Sequence, residues 1–272
     1  MELPVDSWYR ALKVRHSRRL YTDKPIAAHL LDKMEEVCTR FQPFAGVRGV
    51  LIRRMTEDIF RGLVGAYGKV RGASTYLAFL GERNMENVEA RVGYLGEALI
   101  LEATALGLST CWISGFFDPW VAALDVKPQE KEKIYAVSPL GYAAAEYSRE
   151  EKIMSSLIRS RRRKNLHQIA RNIKRGNWPE WVLAGLEAAR IAPSAVNRQP
   201  WCFFMENNGV IVVSMRKPGG ANHFSKRLDC GIAMLHFELG ARALGVGGRW
   251  EFLPSPDVAR YVPVAEKKAG EE

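Results

Sequence analysis

The spacing of apolar residues predicts a chain in which helices and strands alternate from end to end. Apolar residues three and four positions apart indicate helices, whereas short β-branched and aromatic runs bounded by turn residues indicate strands. The predicted helices cover residues 6–14, 27–40, 57–67, 84–106, 166–173, 179–191 and 227–244. The predicted strands cover residues 47–52, 75–80, 108–113, 134–142, 202–206, 209–215 and 247–252, and the polar tail after them is expected to fray.

The second part of this pattern repeats the first. One constant offset in residue number, the repeat offset, aligns matching positions of the two long helices and of the segments that follow them: Gly93 with Gly231, Leu101 with Leu239, Gly107 with Gly245 and Trp112 with Trp250. We interpret the chain as two diverged copies of one α+β unit. The Gly- and Pro-containing stretch 174–179 marks the joint, so the predicted halves are residues 1–173 and a shorter 174–272. The apolar long helices are expected to pack together at the seam between the halves.

Composition places the chain among ordinary globular proteins. Of its 272 residues 47% are hydrophobic and 26% are charged, and no apolar run reaches the ~18 residues that would predict a membrane span. The N-terminus shows no secretory signal pattern. The four cysteines are far apart among apolar neighbours, which predicts buried free thiols in a reducing cytoplasm. The five histidines are scattered, so no metal site is predicted.

The net charge of +10 favours an anionic partner, and much of it lies in the run 159–164, Arg-Ser-Arg-Arg-Arg-Lys. Such a run is typical of a solvated helix face or an interdomain arm, and it also suits a phosphorylated cofactor. No zinc-finger, helix-turn-helix or aromatic-basic RNA motif accompanies it. We therefore expect neither a nucleic-acid nor a membrane partner, although a basic adaptor that uses this run is an alternative with a steep salt dependence.

The loop 192–201, Ala-Pro-Ser-Ala-Val-Asn-Arg-Gln-Pro-Trp, carries the most specific chemistry. Its two prolines end the preceding helix and make the loop rigid. Ser194, Asn197 and Gln199 are neutral donors and acceptors, suited to the polar edge of a planar ligand. Pro-Ser or Gln-Pro alone would indicate only an ordinary turn between a helix and a strand.

The full string resembles the Pro-Ser-x-x-Asn-x-Gln-Pro-Trp signature of the FMN-dependent nitroreductase family. Two further stretches are similar to motifs of that family, residues 15–19 (Arg-His-Ser-Arg-Arg) to its Arg-x-Ser-x-Arg/Lys and residues 112–116 (Trp-Ile-Ser-Gly-Phe) to the segment after its long helix. Members are usually homodimers with FMN sites at the subunit interface. The repeat resembles the tandem branch of the family, which implies an α+β nitroreductase-like fold of antiparallel or mixed sheets flanked by helices. The two halves would form an internal pseudo-dimer in a monomeric chain.

The resemblance also implies roles for individual residues. Arg15 and Ser17 would bind the FMN phosphate, with Arg19 near the pyrimidine end of the ring. Ser114 stands where the family usually has Glu before the glycine whose amide bonds the flavin N5. The implied cofactor-binding set is Arg15, His16, Ser17, Arg19, Ser114, Gly115, Arg161, Arg163, Pro193, Ser194, Ala195, Asn197 and Gln199. No protein residue is assigned a catalytic role, because the flavin N5 carries the chemistry.

The motifs that each half has lost are complementary. The first half has the Arg-x-Ser-x-Arg motif but reads Cys-Thr-Arg-Phe-Gln-Pro-Phe at 38–44, where the Pro-Ser loop would stand. The second half has the Pro-Ser loop but no Arg-x-Ser-x-Arg motif. One site therefore draws on both halves, and one flavin is expected per chain.

The resemblance implies an NAD(P)H-dependent FMN oxidoreductase that reduces a nitroaromatic, a quinone or a related small electron acceptor. A non-enzymatic flavin-binding or redox-partner protein is the alternative, since it would keep the site but close the pocket over the ring. The sequence leaves this alternative open, together with the acceptor and the choice between NADH and NADPH.

Overall fold

Two sheets with the same strand order form the framework of the molecule. The computed structural model describes residues 1–60, 70–115, 117–157, 159, 162–171, 178–206, 209–216 and 225–265. The helices are α1 (Val5–Val14), α2 (Ala28–Arg40), α3 (Val88–Ala105), α4 (Pro119–Val126), α5 (Arg149–Leu157), α6 (Leu166–Ile169), α7 (Glu180–Arg190) and α8 (Lys226–Arg242). The strands are β1 (Val47–Ile52), β2 (Thr75–Glu82), β3 (Ser109–Thr110), β4 (Glu132–Gly141), β5 (Ala170–Arg171), β6 (Trp201–Met205), β7 (Ile211–Met215), β8 (Val246–Phe252) and β9 (Asp257–Ala265).

The two sheets correspond strand for strand. The first has the order β1-β2-β4-β3, and the second has the order β5-β6-β7-β9-β8. Without β5, the second sheet repeats the first, and in each half a long helix lies between the second and third strands of the repeat. All pairings are antiparallel except that of β5 with β6. The predicted α+β fold of two related halves is confirmed.

The long helices α3 and α8 cross in direct backbone contact. A Cβ placed on Gly93 would lie 2.1 Å from the carbonyl oxygen of Leu228, and a Cβ placed on Gly231 would lie 2.0 Å from that of Ala90. The repeat offset relates both pairs, so the contact is reciprocal, as in a two-fold dimer interface. Nearly every residue of both helices is buried. The seam therefore lies where the apolar long helices predicted it.

Most predicted elements are present, with shifted ends. Strand β1 has the predicted bounds, whereas α3 begins at Val88 and not at 84, because Asn87 adopts a left-handed conformation with φ of 59°. Helix α1 begins at Val5 after Pro4, and neither Asp6 nor Ser7 caps it. Of the predicted helix 57–67, residues 57–60 are not helical, and the remainder falls in 61–69, outside the described residues.

Three parts of the fold differ from the pattern-based prediction. The predicted helix 166–173 is one turn, α6, followed by β5, and the rest lies outside the described residues. Helices α4 and α5 were not predicted. The expected frayed tail is wrong up to Ala265, because Val258, Ala259 and Tyr261 are buried and belong to β9.

The predicted joint falls largely on residues 174–177, which lie outside the described residues, so the boundary between the halves stays a prediction. The four cysteines are free and buried, as predicted. Within the described ranges, no helix is long and apolar enough to cross a membrane.

Candidate functional site

A cavity of about 850 Å³ lies where the two halves meet. The first half supplies the segment after α1, the residues after β3, and one face of α5. It also supplies the basic segment 159–164 after α5, here called the arm. The second half supplies the loop after α7 and the first turns of α8. The residues that line the cavity on both sides are Leu12, Lys13, Arg15, His16, Ser17, Arg19, Phe60, Val70, Cys111, Trp112, Ile113, Ser114, Tyr147, Glu151, Lys152, Ser155, Ser156, Arg159, Arg162, Arg163, Ile191, Pro193, Ser194, Ala195, Val196, Asn197, Leu228, Asp229 and Ile232.

The cavity brings together most of the residues that the sequence predicted for a cofactor site. Those in its lining are Arg15, His16, Ser17, Arg19, Ser114, Arg163, Pro193, Ser194, Ala195 and Asn197. Gly115 and Gln199 lie outside the lining, and Arg161 lies outside the described residues. Motifs from the two predicted halves therefore share one cavity, as expected if each half retains a different part of the site.

Arg15 shows most directly that the cavity suits an anion. Its side chain is 7% exposed, and its Nε lies 3.7 Å from Oε1 of Glu97. Its Nη1 is buried with no hydrogen-bond partner among the described residues. A buried donor without a partner costs about 1–3 kcal/mol, more when it is charged. An acceptor from a ligand in the cavity would remove that cost.

Arg163 adds a second cation to the same wall. Burial, followed by the like charges of Arg15 and Arg190, lowers the pKa of Arg163 to about 10. Its Nη1 donates to Oδ1 of Asn197 at 3.2 Å, which holds the arm after α5 against the loop after α7. Two guanidinium groups that repel each other at one cavity form an electrostatic site for an anion such as phosphate.

The carboxamides of Asn197 and Gln199 hydrogen-bond to the segment 159–164 after α5, and their implied ligand contacts stay a prediction. Nδ2 of Asn197 donates to the carbonyl oxygens of Arg159 (2.6 Å) and Arg162 (2.8 Å). Oδ1 of Asn197 accepts from Arg163 and from Nε2 of Gln199, so both ends of the group are engaged. Gln199 is 3% exposed and accepts from the backbone amide of Lys164 at 2.8 Å. These side chains shape the cavity wall.

The loop after α7 is held in a strained conformation. Val196, Asn197 and Gln199 have positive φ angles of 46°, 54° and 46°, which is unfavourable above all for a β-branched valine. The hydroxyl of Ser194 accepts from the backbone amide of Gln199 at 2.9 Å. That bond leaves the hydroxyl hydrogen of Ser194 available to a ligand.

Asp229, in the first turn of α8, holds the loop after α7 in place through two hydrogen bonds. Its carboxylate accepts from the backbone amide of Ala195 at 3.1 Å and from Nε of Arg198 at 2.7 Å. Burial raises the pKa of Asp229 to about 6, although the ion pair with Arg198 acts in the opposite direction. The sequence gives no signal for this role, because an acidic residue in the first turn of a helix is ordinary.

Glu151 fixes the opposite wall, the segment 15–19. Its carboxylate accepts from the backbone amides of Arg19 (2.7 Å) and Ser148 (2.9 Å) and from Nε of Arg18 (3.3 Å). Burial raises the pKa of Glu151, but these hydrogen bonds outweigh burial, so the pKa lies below its usual value. Arg18 lies outside the cavity lining, with its guanidinium over the ring of Tyr147 at 4.4 Å. The capping-box spacing Ser148-x-x-Glu151 is the signal that could have revealed α5.

The symmetry-related position on the other side of the seam is filled by side chains. The repeat offset places Arg91, Tyr94 and Phe252 opposite Asp229, Ile232 and Ser114 of the cavity. The rings of Phe44 and Phe252 meet edge to face at 4.9 Å, and Phe44 meets Tyr94 at 5.1 Å. The guanidinium of Arg91 lies over Phe252 at 4.5 Å. On this side of the seam, an aromatic cluster thus occupies the positions that line the cavity on the other side.

Comparison with known proteins identifies a family and a structural relative that covers nearly the full length of the chain. The family model described as "Putative TM nitroreductase" matches residues 7–241. A "putative nitroreductase" from Thermotoga maritima MSB8 is 19% identical, with a TM-score of 0.56 over 94% of this chain and 93% of its own. This likeness shows a shared fold over nearly the full length.

Two shorter structures match about half of the chain. A nitroreductase family protein from Clostridium novyi NT is 19% identical over 53% of this chain and 87% of its own, with a TM-score of 0.43. One from Clostridium difficile 630 is 17% identical over 62% and 98%, also with a TM-score of 0.43. These scores are too low to carry an argument. No curated protein sequence matches the chain significantly.

The titration of Asp229 predicts how stability depends on pH. The folded protein holds this proton up to a pH of about 6, whereas an unfolded chain releases it near pH 4. The stabilisation is therefore fully present below pH ~4 and is lost as the pH rises through about 6. Relative to Asp229→Asn, which does not titrate, the wild type should lose about 3 kcal/mol of unfolding free energy between pH 4 and pH 7.

Denaturant unfolding of both proteins at several pH values checks this slope, with Asp23→Asn at an exposed position as the control. The control should show no comparable change relative to the wild type. A wild-type stability relative to Asp229→Asn that stays constant or increases as the pH rises would contradict the assignment.

Proposed function

The chain belongs to the nitroreductase family described by that model, and from this membership we propose that it is an FMN-dependent oxidoreductase. It would take a hydride from NAD(P)H and reduce a nitroaromatic, a quinone or a related small acceptor. The observation that carries the proposal is the buried, unpartnered Nη1 of Arg15 in a cavity built from both halves. The four buried free cysteines fit a cytoplasmic protein.

The cationic wall fits the phosphate end of FMN. Arg15 and Arg163 supply two guanidinium groups at one place, and Ser17 adds a hydroxyl in the same lining. A phosphate dianion accepts several charge-assisted hydrogen bonds at once, so it would relieve both the orphan donor of Arg15 and the repulsion between the two cations. Arg161, implied by the resemblance alone, stays a prediction.

The neutral part of the lining fits the ring and the ribityl chain. Ser114, Ser194 and the backbone around Ala195 and Pro193 supply small polar groups, and Trp112 and Ile113 add apolar surface. Gly115, next to the lining, would offer the backbone amide that the resemblance assigns to the flavin N5. His16 and Arg19 complete the first-half wall. Glu151 orients that wall through the amide of Arg19.

Bound FMN would supply the hydride and electron transfer, which no side chain of the cavity needs to perform. The protein's part is to bind and orient. The guanidinium of Arg19, where the resemblance places the pyrimidine end of the ring, would stabilise negative charge there. The strained loop after α7, fixed by Asp229, would present Ser194 in one orientation.

The same geometry supports a single chain as the working unit. In the proposed site, Arg15 and Ser17 come from the first half, and Ser194 and Ala195 come from the second. One chain therefore completes the cavity without a second copy. The basic arm lines this cavity through Arg159, Arg162 and Arg163, which favours a small anionic ligand over the alternative of a nucleic-acid adaptor.

Replacement of Arg15 tests the cofactor site. Arg15→Ala removes a charge-assisted contact worth roughly 1.5–3 kcal/mol, so FMN affinity should fall about tenfold to a hundredfold. Arg10→Ala, on the exposed side of α1, removes the same charge outside the lining and should leave the affinity unchanged. Fluorescence titration of FMN into both variants measures this. Equal losses, or no loss in either, would show that Arg15 does not bind the cofactor.

Steady-state turnover tests the enzymatic part of the proposal. Without oxygen, FMN-loaded protein should oxidise one equivalent of NADH or NADPH per flavin and then stop, and added quinone or nitroaromatic should sustain turnover by reoxidising the flavin. The rate of NAD(P)H oxidation is measured from the loss of its absorbance, with FMN-free protein as the control. Stable FMN binding without turnover would contradict the oxidoreductase and favour the non-enzymatic flavin-binding alternative.

A further inference from the structure

Two buried glutamates beside the seam accept hydrogen bonds from aligned tryptophans, although the repeat offset does not align the glutamates themselves. Trp112 and Trp250, which the repeat offset aligns, each donate their indole N–H to a glutamate of the long helix in their own half. Trp112 donates to Glu97 at 2.6 Å, and Trp250 donates to Glu238 at 2.9 Å. Glu97 is 0% exposed and Glu238 is 4% exposed. Buried carboxylates require cationic or hydrogen-bonding partners, so their surroundings show what each one does.

The partners of the two glutamates differ. On the side of the seam that holds the aromatic cluster, Glu238 accepts from Arg242 of its own helix at 2.8 Å and from the hydroxyl of Tyr94 at 2.8 Å. On the cavity side, Oε1 of Glu97 contacts His236 of the opposite helix at 2.9 Å and Arg15 at 3.7 Å. Glu97 is therefore the carboxylate that contacts a cation of the proposed ligand site.

The hydrogen bonds of His236 require a proton between it and Glu97. Nδ1 of His236 lies 3.1 Å from the carbonyl oxygen of Ala188, which can only accept, so Nδ1 carries a hydrogen. A hydrogen bond between Nε2 and Oε1 of Glu97 then needs one further proton, on the imidazole or on the carboxyl. The pair has no net charge in either arrangement. It can therefore anchor Arg15 without cancelling the guanidinium charge.

We propose that Glu97 and His236 are positioning residues of the cofactor site, which hold Arg15 by its Nε so that its Nη1 faces the anionic group of the ligand. The proposal rests on the proposed function. Buried ionic groups at a helix seam are commonly no more stabilising than apolar residues of the same volume, so a positioning role explains why this site holds a glutamate and a histidine. The role acts across the seam, because His236 belongs to the second half and Arg15 to the first.

Glu97→Gln tests the role with little change in shape. A glutamine can accept from Trp112 and donate to Nε2 of a neutral His236, but its amide nitrogen then faces the guanidinium of Arg15 and replaces the oxygen of the 3.7 Å ion pair. FMN affinity should fall by about tenfold, and Arg15→Ala should then cost less than about threefold in the Glu97→Gln background. Glu238→Gln is the matched control, because it removes the other buried carboxylate, away from the cavity.

The double-mutant cycle separates positioning from general stability. Glu238→Gln should leave FMN affinity unchanged, and the effect of Arg15→Ala should be as large in its background as in the wild type. If Arg15→Ala and Glu97→Gln lower the affinity additively, or if Glu97→Gln binds FMN as tightly as the wild type, the proposal is overturned. Thermal unfolding of each variant confirms that it is folded. If Glu97→Gln does not fold, His236→Gln enters the same cycle with the same expected non-additivity.

A measurement on FMN-free protein tests the contact between Glu97 and His236 independently of FMN binding. Nitrogen-15 NMR of the His236 imidazole in FMN-free protein, assigned with His236→Gln, reads where its protons lie. Glu97→Gln should leave the ring protonated at Nδ1 alone and shift the Nε2 signal, because a weaker amide donor replaces the shared proton, whereas Glu238→Gln should leave both signals unchanged. Unchanged signals in Glu97→Gln would overturn the shared-proton arrangement even if FMN binds. Failure of every form to bind FMN, with these shifts present, would instead overturn the proposed function.

Discussion

The backbone contact between α3 and α8 is the constraint on which the rest of the structure depends. Any side chain at Gly93 or Gly231 would collide with a carbonyl oxygen of the opposite helix, so the seam requires glycine at both positions. Close approach places Glu97 within hydrogen-bond distance of His236. The first turns of α8 consequently lie beside the segment after α1, and the cavity is the space left between them.

The same seam has two unlike sides. The repeat offset aligns Asp229 with Arg91. Asp229 lies on the cavity side and holds the loop after α7, whereas Arg91 lies on the other side over the rings of Phe44 and Phe252. Aromatic packing of this kind stabilises the seam by burying a large apolar area. A symmetric dimer would keep two equal sites, whereas a fused chain can lose one and use its volume for core. The two sides of the seam can differ because the two halves of the chain have different sequences.

The sequence predicted the parts of the fold and site that depend on local pattern. The repeat offset found the seam because the glycines that permit it recur at the same helical positions. The Arg-x-Ser-x-Arg and Pro-Ser motifs located two walls of the cavity, and Arg15 and Ser194 both line it. The seam and the loop after α7 could be predicted because glycine permits close backbone approach and proline ends a helix.

The rest could not be predicted because it depends on tertiary partners. A carboxamide can hydrogen-bond to a ligand or to the backbone, and the sequence does not distinguish the two. In the structure Gln199 accepts from the amide of Lys164 and donates to the carbonyl oxygen of Arg162. Buried carboxylates such as Glu97, Glu151 and Asp229 look like surface residues in the sequence. Strand β9 was missed because Pro254, Pro256 and Pro263 interrupt this part of the sequence, and proline ordinarily argues against a strand.

The ratio of flavin to chain tests the account most directly. Protein saturated with FMN, freed of excess by gel filtration and then denatured, gives the flavin concentration from its visible absorption and the chain concentration from amino-acid analysis. One open cavity and one filled counterpart predict a ratio of one. A ratio near two would contradict the asymmetry of the seam, and a ratio of zero after saturation would contradict the cofactor site.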